Sequence, residues 1–230
     1  MEQSYSGTSE LRVMANAVNY TNFLTRFIAN KTSPPGPILD FGAGIGTFSI
    51  SLRNLGYDVH CLEPYERLAT VLESLGFQVY RSIEEIEDQS YSAIYCLNVL
   101  EHINDDRGAL SKVISKLQRR GLLIVYVPAF PMLYTANDAR VGHYRRYRLE
   151  QMTSMLQNLG CVIETYSYID SLGFLATLIY KWFGDRSGAV NPILLRVYDL
   201  AIFPISRLVD KLGARWVFGK NIMVTASRVE

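Results

Sequence analysis

Short apolar runs alternate with stretches of helical periodicity along the first two thirds of this chain. In the helical stretches apolar residues recur every three or four positions, and Gly56 and Gly76 follow two of them, where a glycine commonly ends a helix. The continuous apolar runs are typical of strands covered on both faces. These predicted strands are 38–41, 59–62, 77–80, 93–97 and 122–127. Because strand and helix alternate, we predict a parallel sheet.

The N-terminal segment has the periodicity of a helix. Apolar residues recur at helical spacing between Leu11 and Phe27, behind Ser9, which is a residue type that caps helices. The proline-rich stretch 33–37 then ends the pattern. We therefore expect a helical cap over residues 1–36, lying across the mouth of the ligand site.

The last third of the chain departs from this alternation. Strands are predicted at 162–168 and 222–227, and a helical, amphipathic insertion at 170–219 lies between them. The length suits one core, so we expect a single domain over 1–230. Its class is α/β: a doubly wound, mostly parallel sheet of seven strands, with helices on both faces and a helical insertion before the last strand.

The net charge of +1 gives no reason to expect nucleic-acid binding, yet the charge is unevenly divided. Residues 1–139 carry 11 Lys and Arg against 15 Asp and Glu, a net of −4, whereas residues 140–230 carry 12 against 7, a net of +5. The second half is therefore the candidate for contact with an anionic substrate.

The three cysteines, Cys61, Cys96 and Cys161, are too scattered for a metal site, and we expect them to be buried. We predict no metal ion. With few cysteines and no leading apolar segment, the chain is expected in the cytoplasm, with the inner face of the membrane as an alternative place. No apolar run reaches the roughly 18 residues that a spanning helix needs.

A glycine-rich turn after the first predicted strand is the strongest candidate for a ligand site. Gly42, Gly44 and Gly46 alternate with other residues directly before a predicted helix, and Asp40 precedes them. Glycine lets a ligand approach bare backbone, and the helix start adds unpaired N–H groups. The dinucleotide fingerprint G-x-G-x-x-G would place its third glycine at Thr47, which argues against a nicotinamide oxidoreductase.

The pattern D-x-G-x-G-x-G resembles motif I of the class I S-adenosylmethionine (SAM)-dependent methyltransferases. Glu63 follows the second strand, at the distance where doubly wound folds place an acid on ribose hydroxyls. The segment Asn98-Val99-Leu100-Glu101-His102 is similar to N/H-V-L-E-H in the type-11 and type-12 small-molecule methyltransferases. The resemblance implies a Rossmann-like fold, SAM as cofactor and S-adenosylhomocysteine as product.

The resemblance also implies roles for particular positions. Asp40 and the turn would hold the methionine portion of SAM, Glu63 the ribose, and the Asn98 backbone the amino group. Ser82 and Ile83 would lie at the adenine edge. The full implied cofactor set is Asp40, Gly42, Ala43, Gly44, Gly46, Glu63, Pro64, Ser82, Ile83, Asn98, Val99 and Leu100.

The segment from Pro128 to Arg148 is the candidate acceptor loop. It is similar to the pattern P-A-F-x-x-L-Y/F-S/T-x-x-D-x-x-x-G-H-Y-R-R-Y of a bacterial subgroup of these enzymes. A hydroxyl acceptor must lose its proton, and His143 in this loop is the candidate base. His60 is interpreted instead as a packed strand residue. Aromatic rings and arginine forks suit an anionic acceptor. The candidate substrate-binding residues are His102, Tyr134, Tyr144, Arg145, Arg146 and Tyr147.

Within the insertion, one helix face is apolar and the opposite face is polar. Residues 171–230 carry 8 basic and 4 acidic side chains, a net of +4. Such a segment suits a lid, the interface of a homodimer, or peripheral contact with an anionic membrane. The apolar face comprises Leu194, Val197, Leu200, Ala201, Ile205 and Leu208, and the opposite face Arg196, Asp199, Arg207 and Lys211.

Two functions remain open from the sequence. The first is a SAM-dependent methyltransferase acting on a small molecule, with a hydroxyl of an anionic or lipid-linked saccharide or isoprenoid intermediate as the expected acceptor. The second is a non-catalytic SAM-binding scaffold that docks to a membrane or protein partner through its aromatic, basic C-terminal region. The appearance of methyl label from SAM in any acceptor would separate them.

Overall fold

A central sheet of seven strands organises the protein, seen in a computed structural model that describes residues 11, 13–32, 36–183 and 191–229. The strands are β1 (Ile38–Phe41), β2 (Val59–Leu62), β3 (Gln78–Tyr80), β4 (Tyr91–Leu97), β5 (Leu117–Pro128), β6 (Cys161–Ile169) and β7 (Asn221–Arg228). Their order is β3-β2-β1-β4-β5-β7-β6. The pairs among β1 to β5 are parallel, and β7 is antiparallel to both β5 and β6. The predicted fold class is confirmed.

Helices cover both faces of this sheet. They are α1 (Val18–Lys31), α2 (Thr47–Arg53), α3 (Glu66–Ser74), α4 (Asp106–Lys116), α5 (Ala136–Arg140), α6 (Leu149–Asn158), α7 (Ser171–Phe183), α8 (Pro192–Val197) and α9 (Phe203–Lys211). A π-helical turn, Tyr198–Ile202, joins α8 to α9. The last three helices and this turn precede β7. Among the described residues, no helix has the length and apolar character needed to cross a bilayer.

The N-terminal helix differs from its prediction. One continuous helix was expected from Leu11 to Phe27, but the backbone turns at 15–17 and α1 begins at Val18. The reason is a cap from elsewhere in the chain, since the Asp199 carboxylate accepts hydrogen bonds from the first turn of α1. Ser9 and the 33–35 part of the proline-rich stretch lie outside the described residues.

Alternate strand residues build two cores, one on each face of the sheet. Leu39 and Ile94 pack with α4 and α6, whereas Ile38 and Tyr95 pack with α1, α2 and α3. This alternation is the period of two that strand geometry imposes. The three cysteines are buried in these cores as expected.

The strand order determines where a ligand can enter. The chain moves outward from β1 to β2 and β3, then returns to the other side of β1 with β4. At such a reversal the loops after β1 and β4 diverge and leave a crevice at the carboxyl ends of the strands. The glycine-rich turn follows β1 and the Asn98 segment follows β4, so both border this crevice.

Candidate functional site

A cavity of about 420 Å³ lies in this crevice. Its volume is in the range of small-molecule sites. The glycine-rich turn, the residues after β2 and β4, the start of α1 and the helices before β7 all contribute to its wall. The site therefore combines the sheet edge with both helical additions to the core fold.

The glycine-rich turn is held open by its backbone conformation. Gly44 has φ of +57°, in the left-handed region, and a Cβ there would lie 3.3 Å from Cδ1 of Leu11, which also lines the cavity. At Gly42 a Cβ would lie 2.5 Å from Cγ2 of Val99, so a side chain there would clash with the protein. Gly44 thus lines the cavity in a conformation that favours glycine, while Gly42 is required by packing.

Glu63 joins this turn to the end of β2. Its carboxylate accepts hydrogen bonds from the N–H groups of Gly44 at 2.7 Å and Tyr65 at 3.0 Å. The side chain is buried, and burial raises its pKa while the two N–H groups oppose that shift. A carboxylate oxygen has a second lone pair, so Glu63 can still accept bonds from ligand hydroxyls.

Asp40 lies beneath the turn and also lines the cavity. Its carboxylate accepts a 2.5 Å hydrogen bond from the Ser49 hydroxyl. Burial raises the pKa of Asp40 to about 7, although the Ser49 bond opposes the shift. A cationic ligand nearby would favour the ionised form of this buried acid.

Asn98 follows β4 with φ of +53°, and its side-chain amide donates to the Tyr20 hydroxyl at 3.0 Å. Its backbone N–H already donates to the Tyr126 carbonyl, so a bond from the Asn98 backbone to an amino group would use its carbonyl oxygen. Of the predicted cofactor residues, Ala43, Pro64 and Val99 also line the cavity, but Gly46, Ser82, Ile83 and Leu100 do not. The Ser82 hydroxyl is instead bonded to the Glu84 carboxylate.

His143, which also lines the cavity, is fixed between two acids. Its Nδ1 lies 2.8 Å from Oδ1 of Asp138, and its Nε2 lies 3.9 Å from Oε1 of Glu101. An ionised Asp138 can only accept, so Nδ1 carries the proton and neutral His143 presents an unprotonated Nε2. His143 lines the cavity, and the ring of His102 lies perpendicular to it at 4.5 Å.

Asp138 is held ionised by a dense set of donors. Arg146 donates to it through Nε and Nη2, both at 2.9 Å, and the Thr135 N–H and hydroxyl donate at 2.8 and 2.9 Å. Burial alone would raise the pKa of Asp138, but His143, Arg146 and Thr135 hold it well below its usual range. This arrangement orients the His143 ring.

Glu101 is completely buried, and neither of its carboxylate oxygens has a hydrogen-bond partner among the described residues. Burial raises its pKa to about 8. Burial also lowers the pKa of neighbouring His102 to about 4, with His143 adding to the shift. The ligand atoms of Glu101, His102 and His143 lie within 4.8 Å of one another, so this cluster could hold a cation. Neither Glu101 nor Asp138 was assigned a role from the sequence, although both lie inside the quoted motifs.

The predicted substrate-binding set divides in two. Only His102 and Arg146 line the cavity, and the Arg146 guanidinium is occupied by Asp138. The other arginine, Arg145, pairs with Asp106 at 3.0 Å. The remaining predicted residues, Tyr134, Tyr144 and Tyr147, do not line the cavity. The Arg146 guanidinium is therefore engaged within the loop, and the Arg145 guanidinium by Asp106 of α4.

Several other cavity residues were not among the site residues predicted from the sequence. Lys220, just before β7, lines the wall and makes no ion pair among the described residues. Burial lowers the pKa of Lys220, and Asp170 opposes that shift. The helical parts of the chain also contribute to the cavity wall, through Tyr20 of α1 and through Tyr198, Asp199 and Phe203 of the insertion.

Comparisons with known proteins agree with this geometry. A family model described as "Methyltransferase domain" matches residues 16–166. The ubiquinone biosynthesis O-methyltransferase of Xanthomonas axonopodis pv. citri is 30% identical over 165 residues, which cover 61% of this chain and 69% of that protein.

Solved structures show the same fold at low sequence identity. A SAM-dependent methyltransferase from Archaeoglobus fulgidus has a TM-score of 0.63 and 17% identity, covering 92% of this chain and 94% of its own. The phosphoethanolamine N-methyltransferase 2 of Haemonchus contortus, in complex with SAM, has a TM-score of 0.60 and 17% identity, covering 90% of this chain and 52% of its own.

Proposed function

This chain belongs to the methyltransferase-domain family and is a SAM-dependent methyltransferase, and from that premise we propose that it methylates a hydroxyl of an anionic or lipid-linked saccharide or isoprenoid intermediate. The observation that carries the proposal is that His143 lines the same cavity as the glycine-rich turn and that its Nδ1 is bonded to the Asp138 carboxylate.

We expect the SAM side of the cavity to be the wall formed by Gly44, Glu63, Asp40 and Asn98. The Glu63 carboxylate is fixed by two backbone donors and can accept from ribose hydroxyls. The Asn98 carbonyl can accept from an ammonium group, and Asp40 supplies a buried negative charge. When bound, SAM supplies an electrophilic methyl group. The protein's contribution on this side is mainly to position the cofactor.

On the acceptor side we assign His143 as the general base. A neutral imidazole with a free Nε2 can remove the proton of a hydroxyl held beside it. Asp138 then stabilises the resulting imidazolium through Nδ1–H, because Arg146 and Thr135 keep this carboxylate ionised. This is the pairing in which an acid orients a histidine base in other enzymes. Asp138 is thus a positioning residue.

Two observations support the acceptor class. The ammonium group of Lys220, which makes no ion pair among the described residues, offers a positive charge on the cavity wall to an anionic acceptor. The relative from Xanthomonas is named as an O-methyltransferase of ubiquinone biosynthesis, which favours oxygen as the methylated atom and an isoprenoid as the lipid.

The test uses tritiated SAM with a bacterial polar-lipid extract and, separately, a water-soluble saccharide extract. We expect label in the lipid fraction with the unaltered protein. The variant His143→Ala should lose transfer by about 100-fold or more, the usual contribution of a general base. Its affinity for S-adenosylhomocysteine, measured by calorimetry, should stay within about twofold, since this assignment puts His143 outside the cofactor wall.

The matched control is His60→Ala, because His60 bonds to the Tyr91 hydroxyl and does not line the cavity. His60→Ala should retain both methyl transfer and the affinity for S-adenosylhomocysteine. Unchanged transfer in His143→Ala would contradict the base assignment. So would activity that EDTA abolishes and Mn²⁺ restores, because His143 would then act beside Glu101 and His102 as a metal ligand. Label only in saccharides would exclude the lipid-linked acceptor.

A further inference from the structure

The helices before β7 expose an unusually apolar surface. Within the described part of the chain, 13 of the 22 exposed large hydrophobic side chains lie between residues 175 and 217. We call the largest group the outer face, and its members are between 54% and 81% exposed. The outer face comprises Ile193, Leu194, Val197, Leu200, Ile205, Leu208 and Leu212. Side chains of this kind are normally buried, so such a concentration indicates an interaction surface.

The same helices bury their acidic residues instead. Asp199 accepts from the N–H groups of Asn19 and Tyr20, both at 2.9 Å. Asp210 accepts from the N–H groups of Asp170 and Ser171 at 2.9 and 3.0 Å. Both acids are almost completely inaccessible. The segment therefore has its polar side inward and its apolar side outward, the reverse of an ordinary surface helix.

These hydrogen bonds fix which side faces out. The two acids satisfy the free N–H groups at the starts of α1 and α7, and Ser206 adds a bond from the Leu172 N–H at 3.0 Å. Rotating the outer face toward the core would leave these buried donors without partners, at a cost of about 1–3 kcal/mol each. The outer face is consequently a stable feature of the fold and does not close over the cavity as a lid.

A second apolar row lies on α7, which packs against α9. Leu175, Ile179 and Trp182 are exposed along it, and Trp216 is exposed after α9. Tryptophan favours the boundary between water and lipid, because its ring is apolar and its N–H is polar. Trp182 and Trp216 are the only two tryptophans of the chain.

The charges around the outer face favour an anionic occupant. Arg196 and Lys211 are exposed beside it, whereas every described acid between 171 and 217 is buried. A second copy of the chain would bring like charges together at a symmetric interface. An anionic bilayer surface provides both apolar contact and opposite charge.

We propose that the outer face, with the α7 row and Trp216, docks the enzyme on the surface of an anionic phospholipid membrane. The π-turn and α9 also supply Tyr198 and Phe203 to the cavity wall, so docking would bring the cavity close to the lipid phase. The inference rests on the proposed function, since a lipid-linked acceptor is the substrate that such docking would serve. Because no described helix could span the bilayer, the contact is peripheral.

The experiment measures co-sedimentation of the full chain with vesicles of phosphatidylcholine containing 25% phosphatidylglycerol, and with phosphatidylcholine alone. We expect binding that is at least tenfold stronger to the anionic vesicles and weaker at high salt. Tryptophan emission should shift to shorter wavelength on binding, because both tryptophans lie in the proposed contact. Absence of binding and of the emission shift would overturn the proposal.

The variant Leu208→Glu places a charge on the outer face at a position that is 58% exposed, so the fold should tolerate it. It should bind anionic vesicles at least tenfold more weakly and retain its affinity for S-adenosylhomocysteine. Leu55→Glu, at 56% exposure on another surface, is the matched control and should retain both. Equal vesicle binding by the two variants would contradict the docking surface.

A dimer provides the competing outcome. If the protein dimerises without lipid in analytical ultracentrifugation, and Leu208→Glu converts it to a monomer, the outer face is a subunit interface and the membrane proposal is wrong. Methyl transfer to lipid extract in detergent tests the proposed function separately, since it needs no intact membrane. Failure of docking and failure of the acceptor assignment can thus be told apart.

Discussion

Individual acids in the cavity differ widely in their surroundings, and these surroundings decide their charge. Asp138 has five donor groups from three residues around it and stays ionised. Glu101, whose Oε1 is 3.9 Å from His143, has no hydrogen-bond partner for its carboxylate among the described residues. The ionised Asp138 can therefore accept a hydrogen bond from a protonated histidine base, whereas burial keeps Glu101 neutral at ordinary pH.

The raised pKa of Glu101 predicts a specific pH dependence of stability. In the unfolded chain this group ionises near pH 4.5, but in the folded protein it keeps its proton up to about pH 8. The folded state thus binds more protons between these values, so this group lowers stability as pH rises from about 4.5 to 8. Glutamine has no such titration. The melting temperature of Glu101→Gln minus that of the unaltered protein should therefore increase steadily from pH 5 to pH 8. The increase should be about 2–4 °C for each kcal/mol of stability that the unaltered protein loses over this range.

Thermal unfolding at pH 5, 6.5 and 8.5 measures this difference. The exposed acid Glu84, whose pKa is lowered to about 2 chiefly by Lys112, supplies the control variant Glu84→Gln, for which the difference should stay flat over the same range. If the plot of melting temperature against pH for Glu101→Gln runs parallel to that of the unaltered protein, the Glu101 carboxyl is already ionised in the folded state.

At the level of whole elements, α9 and the π-turn connect parts of the chain that are far apart in sequence. Asp199 caps α1 and Asp210 caps α7, so two helices depend on acids of the same insertion for their first turns. Arg207 adds a cation–π contact at 3.9 Å to the ring of Phe23 on α1. The N-terminal helix and the insertion therefore form one packed unit above the sheet.

The helix-capping role of Asp199 can be measured directly. Replacing it by alanine leaves two N–H groups of α1 without their charged acceptor, and we expect a loss of about 2–3 kcal/mol in the free energy of unfolding. Asp199→Asn keeps one acceptor oxygen and should lose about half as much. Urea denaturation gives the values. Asp88→Ala, which removes an exposed pair with Lys116, should change stability by less than about 1 kcal/mol, and an Asp199→Ala value that small would contradict the cap.

Across the whole molecule, the sequence predicts the sheet better than the site. The strands were identifiable because they are short apolar runs, two of which follow a helix that ends at Gly56 or Gly76, and these are local properties of the chain. The glycine-rich turn and Glu63 were identifiable because their signal is also local, a short motif at a fixed distance along the chain. The partners of Arg145 and Asp199 were not, since Asp106 and the start of α1 lie 39 and about 180 residues away. The apolar face of the insertion was visible in the pattern, but its outward direction depends on those distant caps.

The shared cavity wall implies that cofactor binding affects more than the sheet edge. Thr21 of α1 and Phe203 of α9 line the same cavity as the glycine-rich turn, and α1 and α9 are joined through the capping acids. A ligand that contacts both should slow local opening of both. We expect S-adenosylhomocysteine to reduce hydrogen–deuterium exchange at 18–24 and 198–206 as well as at 42–46, whereas exchange at 161–169, on the far edge of the sheet, should not change. Protection confined to 42–46 and its neighbours would show that the helical unit moves independently of the bound cofactor.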